Sequence, residues 1–162
     1  MTKAPATGRS KTAATWLAVL GGVLGLHRFY LYGIGDRWGW LLWVPTLLGG
    51  YGVERMRTLG QDDRLAWVLM PLLGLTLAGT MLNAILYGLM PAEKWQARHD
   101  PSGTAASWPA LDVLGAIVAL AVGATALMAS TAFIAQRYFE HAAEPRATSS
   151  TQDQSNSQRL AR

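Results

Sequence analysis

The chain has 162 residues, enough for one domain of ordinary size. Hydrophobic residues make up 51% and charged residues 15%, well below the roughly 25% charged of a soluble domain. The net charge of +4 comes from bases lying singly in short loops, which excludes a nucleic-acid footprint, and the lack of cysteine excludes disulfides, thiolate metal sites and cysteine nucleophiles.

Lys3, Arg9 and Lys11 precede an apolar run over residues 13–26. That order resembles a signal peptide, but Leu26-His27-Arg28-Phe29 follows where a small-x-small cleavage site would stand, so a retained helix is expected. A second apolar segment covers 38–53. At 1.5 Å per residue, 14 and 16 uncharged residues reach roughly 21 and 24 Å, against a hydrocarbon core of about 30 Å. Short helices of this kind borrow length from flanking rings and basic side chains, whose polar tips reach the headgroups. His27, Arg28, Phe29, Tyr30 and Tyr32 fit the end of a first helix entering that interface. Trp38, Trp40 and Trp43 open the second segment, Trp16 and Trp67 lie near the starts of two others, and Trp108 precedes the fourth. That clustering matches an interfacial aromatic belt, with Trp95 alone well inside a loop.

Leu65 to Met90 holds 26 residues without a charged side chain, and Val113 to Ala135 holds 23 more. Runs of 18 or more read as transmembrane helices. Pro71 and Pro45 are expected to kink their helices and Pro91 to end the third. Of the twelve residues 147–158, ten are Ser, Thr, Gln or Asn, a composition that predicts disorder. The expected fold is therefore all-α and integral to the membrane, with four transmembrane helices in two hairpins and a disordered polar C-terminal tail. Its divisions are an N-terminal segment over 1–12, a helix pair over 13–53, a loop over 54–64, a second hairpin over 65–135 and a tail over 136–162.

Four spans place the N-terminal segment, the 54–64 loop and the tail on one side. That side holds most of the Lys and Arg, so both termini are expected in the cytoplasm of a cell whose inner membrane carries the chain. Loop one and residues 91–108 are then external. In the 54–64 loop Glu54, Asp62 and Asp63 oppose Arg55, Arg57 and Arg64, which reads as a solvated turn, with a protein-docking loop as the sharper alternative.

Gly22 and Gly25, then His27-Arg28-Phe29-Tyr30-Leu31, then Gly33, Gly39 and Leu41 resemble the two-transmembrane-helix ("TM-two") domain family over about residues 11–53. The resemblance implies an integral membrane protein whose two short helices pair through a tight loop, and implies no reaction. Here Tyr32 is inserted before Gly33, and Gly50-Tyr51-Gly52-Val53 leads into Glu54-Arg55 rather than a tryptophan pair. Leu26 stands where an acidic receptor-like loop motif would have its acid.

Small residues line helix contacts in lipid, where no hydrophobic drive joins the helices. Gly21 and Gly25 offer such a contact, as do Gly74 with Ala78, and Gly115, Ala119 and Gly123 form a seam suited to internal packing or a homodimer. Asn83 is expected as a buried polar group bonded to another helix or a carbonyl. Asp112 stands in a first helical turn, where a carboxylate suits the helix dipole better than a transport role. Arg28 and Asp36 flank the loop-one turn and are positioned to pair; with His27, Phe29 and Tyr30 they form the candidate partner or headgroup face. His27, His99 and His141 fall in different regions, and no hydrolase, zinc or phosphate-loop motif is present, so no catalytic, cofactor-binding or metal residue is expected. The expectation is a non-catalytic multi-pass membrane protein that binds partners as an assembly or accessory subunit. A small transporter or channel, alone or as a dimer, is the alternative. The expected partners are the lipid bilayer and a membrane protein or second copy, with no cofactor.

Overall fold

The computed structural model describes residues 8–60 and 63–160, with side chains up to residue 140 and at residue 142. Every element among these residues is helical: α1 (Lys11–Gly21), α2 (Leu26–Tyr32), α3 (Arg37–Leu41), α4 (Trp43–Leu59), α5 (Arg64–Leu89), α6 (Ala92–His99) and α7 (Pro109–Leu160). A single 3-10 turn, Gly22–Leu24, joins α1 to α2.

The long helix α5 is the axis on which α1, α4 and α7 pack. α4 meets it through glycines: a side chain at Gly49 would strike Leu73, and one at Gly52 would strike Leu69 and Met70. α7 packs along an adjacent face, with Gly123 against Met81 and Gly88 of α5 against Ala116. The core is correspondingly small-featured, built on Ala18, Met81, Ala84 and Ala119.

α1 does not run the length of this bundle. Gly25 takes φ +71°, a left-handed conformation that costs an L side chain roughly 1–2 kcal/mol. The chain turns there and α2 climbs back along α1, so that the Tyr30 hydroxyl accepts from the Ser10 amide at 2.9 Å. Gly22 at the turn lies against Thr80 of α5. Thr80 is nine residues before Leu89, so the turn reaches roughly 13 Å below that end of α5.

Ser10, Asp36, Leu89, α6 and the start of α7 therefore share one end of the bundle, the near end. Gly60, Asp63, Trp67 and Arg137 share the other, where the Arg137 guanidinium stands 4.7 Å over the Trp67 ring. Two helices, Arg64–Leu89 and Pro109–Glu140, are long and apolar enough to cross a membrane. The expected four spans are not shown, and α1 and α2 form a short hairpin that begins and ends at the near end.

Three further expectations change. Pro45 stands in the first turn of α4, where its missing N–H was unpaired in any case, and the discontinuity falls at Leu42 between α3 and α4. The tail expected to be disordered over 136–162 continues α7 as helix to Leu160, because a helix already formed extends without a new nucleation cost. Residues 92–99, expected as part of a loop, form the helix α6. Its Trp95 is 3% exposed, packs on Ala14 and Leu31, and donates to the Arg9 carbonyl at 2.8 Å.

Candidate interaction face at the near end

The near end is assembled by one carboxylate and one latch. α1 and α7 start side by side and run parallel, so their positive N-terminal dipole ends meet. Asp112 sits between them, 1% exposed. It accepts from Thr12 Oγ1 at 2.6 Å and Ser107 Oγ at 3.2 Å, and lies 3.4 Å from Lys11 Nζ. Thr12 in turn accepts from the Trp108 amide, and Ser10 Oγ donates to the Ala106 carbonyl. Asp112, expected to suit the dipole at the start of α7, accepts from side-chain hydroxyls at both helix starts and pairs with a lysine placed at the positive end of a dipole.

Arg28 Nε donates to Asp36 Oδ2 at 2.6 Å, and the same oxygen accepts from the Gly39 amide, capping α3. The Arg28 guanidinium covers the Tyr32 ring at 5.2 Å. Its hydrogen bond, first among several causes, holds the Asp36 carboxyl below the ordinary carboxylate range. Phe29 packs on Trp40 and against Gly39. Loop-one residues are therefore brought together as expected, but mostly by contacts with each other. Ile34 (76% exposed) and Trp38 (65% exposed) are the most exposed apolar side chains of loop one, ahead of Tyr32 and Trp40.

His27 differs from its neighbours. It is fully buried beside the Tyr87 ring, and neither ring nitrogen has a hydrogen-bond partner. It lies inside the bundle rather than at an interface.

The packing residues act internally. Gly21 meets Leu26 and Gly25 meets the Gly39 backbone. Gly115 meets Thr15 and Trp16 of α1, Ala119 is buried in the core, and Gly123 meets Met81, so the α7 seam serves contacts within the chain. Asn83 is only half-buried and donates to the Gly79 carbonyl of its own helix. Thr80, whose hydroxyl donates to the Leu77 carbonyl, is the deeper polar group at 1% exposed.

Two sets of residues went unread in the sequence. The first seals the hairpin turn. Trp43 Nε1 donates to the Leu24 carbonyl at 3.0 Å, and Thr46 Oγ1 to the Val23 carbonyl at 2.7 Å. Trp43, expected to join an interfacial belt, is thus engaged at the turn. The second is a duplicated latch. Arg55 grips Asp63 at the far end as Arg28 grips Asp36 at the near end, with Nε to Oδ2 again 2.6 Å. Asp63 caps α5 through the Ala66 amide, Arg55 covers the Tyr51 ring, and Gly60 repeats the left-handed φ of Gly33. The signal was present as Arg-x4-Gly-x2-Asp-Arg-x2-Trp, written once from Arg28 to Trp40 and again from Arg55 to Trp67.

No protein-family model, curated protein or solved structure matches this chain.

Proposed function

We propose that the chain is an integral membrane protein of non-catalytic type that acts by binding, as an assembly or accessory subunit. The observation that carries this is the distribution of polarity. Along the two candidate spans only 28% and 22% of the most apolar window is buried. Leu82, Leu86, Ile117, Leu120 and Met128 all face outward, more than half exposed. A core helix of a soluble fold would hide such a surface. The described ion pairs, in contrast, sit at the two ends: two tie loops to helix starts, one joins the starts of α1 and α7, and Arg137–Glu140 lies along α7. The resemblance of residues 11–53 to the TM-two family supports the same reading.

With the hairpin at half depth, the start of α1 and the Arg137 end of the apolar part of α7 face opposite sides of the membrane. The described bases then divide as Arg9, Lys11, Arg28, Arg37, Lys94 and Arg98 against Arg55, Arg57, Arg64, Arg137, Arg146 and Arg159, six on each side. That even division leaves the basic-residue bias no cytoplasmic face to choose. The outward Ile34 and Trp38 form the partner-binding face. Photo-crosslinking from position 38 in intact membranes should give an adduct of one defined size that Ile34→Asp removes; a crosslinking pattern unchanged by that variant would overturn the assignment.

A second reading, a small transporter, is favoured by the break in helical structure at Gly22–Gly25 and by the unpartnered His27. Discontinuous helices at mid-depth are characteristic of transport sites. Ion flux through proteoliposomes that His27→Ala or Asp112→Asn abolishes would establish this reading in place of the first.

A further inference from the structure

Three apolar grooves run beside α5 and α7, and one differs from the others. Two are furrows between α5 and α7, lined on one side by residues such as Leu82 and Leu120 and on the other by Leu77 and Val122. The third has a wall from α4 as well. Val53, Met70, Leu77, Ala126, Ala129 and Phe133 line it, and it encloses about 360 Å³. It lies in the far half of the bundle, beyond the hairpin turn. In the near half α1 fills the space between α5 and α7; below Gly22 the hairpin has already turned back, and the same channel is left open.

The open end of this groove is basic. Arg57 follows Val53 by one helical turn on α4, and Arg137 follows Phe133 by one turn on α7, so each stands beyond a lining residue on the same face. Arg137 lies 5.4 Å over the Phe133 ring, and its buried Nε has no hydrogen-bond partner. Its Nη1 contacts Glu140, which is half exposed. Arg57 is exposed and is in none of the ion pairs among the described residues. None of the three grooves has a charged residue in its lining; the two arginines here stand one turn beyond the last lining residues of α4 and α7.

We propose that this groove holds one acyl chain of an anionic phospholipid from the far-end leaflet, with its phosphate between Arg57 and Arg137. The inference rests on the membrane reading above. Size selects the occupant: a helix is about 10–12 Å across with its side chains, far too wide for 360 Å³ between three helices, whereas a single hydrocarbon chain fits. Charge selects the headgroup: a phosphodiester supplies acceptor oxygens for the exposed Arg57 fork and a counter-charge beside Arg137, and a zwitterionic lipid gives up that net attraction.

The test uses the full chain in phosphatidylcholine vesicles doped with a trace of spin-labelled phosphatidylglycerol or spin-labelled phosphatidylcholine. The motionally restricted signal reports bound lipid. Phosphatidylglycerol should be retained about thirtyfold over phosphatidylcholine, at about 1 kcal/mol for each of the two arginines near the surface. The double variant Arg57→Gln/Arg137→Gln should lose that preference, and Ala129→Phe should remove the restricted component for both lipids. Equal retention of the two lipids by the unaltered chain overturns the proposal without any variant. A preference that survives the double substitution overturns it too. Disulfide-linked dimers of Ala129→Cys would put a second copy in the groove, with the same consequence. A chain that never enters the vesicles overturns the membrane reading itself, and that result is visible before any lipid is compared.

Discussion

Lys11 and Asp112, far apart in the sequence, meet at 3.4 Å with the carboxylate almost wholly buried. The pair joins the first helix to the last. Without it two parallel helix N-termini and a lysine would share one small volume with no counter-charge. Asp112→Asn keeps the shape but removes the charge and one of the two acceptor oxygens that Thr12 and Ser107 use. The expected loss is about 1.5–3 kcal/mol of stability, the range for a hydrogen bond to a charged group, read as a lowered thermal midpoint in detergent by circular dichroism. An unchanged midpoint would show that the pair adds nothing.

The hairpin turn depends on α4 side chains that cover bare carbonyls. Thr46→Val conserves shape and removes the donor to Val23, while the wild-type hydroxyl also reaches Leu42. A cost of about 1–3 kcal/mol is expected for a buried acceptor left unpaired. Thr58→Val on the exposed far-end turn of α4, where the hydroxyl meets only its own helix, should shift the midpoint far less.

Gly25 is constrained twice, by its φ of +71° and by the Gly39 carbonyl that a Cβ would meet at 2.6 Å. Gly25→Ala should cost roughly 2 kcal/mol or more, and Gly35→Ala, where open space surrounds the position, should cost little. Comparable melting of the two variants would refute the close approach of α2 and α3.

The far-end latch makes an acid prediction. The Arg55 hydrogen bond, ahead of all other causes, lowers the Asp63 carboxyl below its ordinary value. A depressed folded-state value means that the latch contributes fully above about pH 4, the unfolded carboxylate value, and that the contribution disappears as pH falls through the lowered one. Asp63→Asn should therefore flatten the dependence of the melting midpoint on pH below about pH 4 and leave the slope near neutrality unchanged. A steep acid dependence retained in Asp63→Asn would assign it to other carboxylates.

Topology gives the plainest check. Reporters fused before residue 8 and after residue 140 should report opposite sides of the membrane, because α1 turns back at Gly25 while the apolar part of α7 runs the full length of the bundle. Reporters on one side would restore a fourth crossing helix.

What the sequence determined by itself was local and compositional. Uncharged runs of 26 and 23 residues dictated two long apolar helices, because length and hydropathy are summed over neighbours in the chain. The Arg28–Asp36 pair and the first-turn place of Asp112 were legible for the same reason: their partners or helix starts lie within a few residues. The depth of the first apolar segment was not legible. Gly21, Gly22 and Gly25 served equally well as a packing stripe or as a reversal, and only the contacts of Gly22 with Thr80 and of Tyr30 with Ser10 selected the reversal. The Lys11–Asp112 pair, the capping of Leu24 and Val23 by Trp43 and Thr46, and the groove beyond the turn each join segments distant in the chain. No periodicity encodes such contacts. They follow from which helices pack side by side, and so the tertiary structure alone decided where the first helix stops and which space it leaves open.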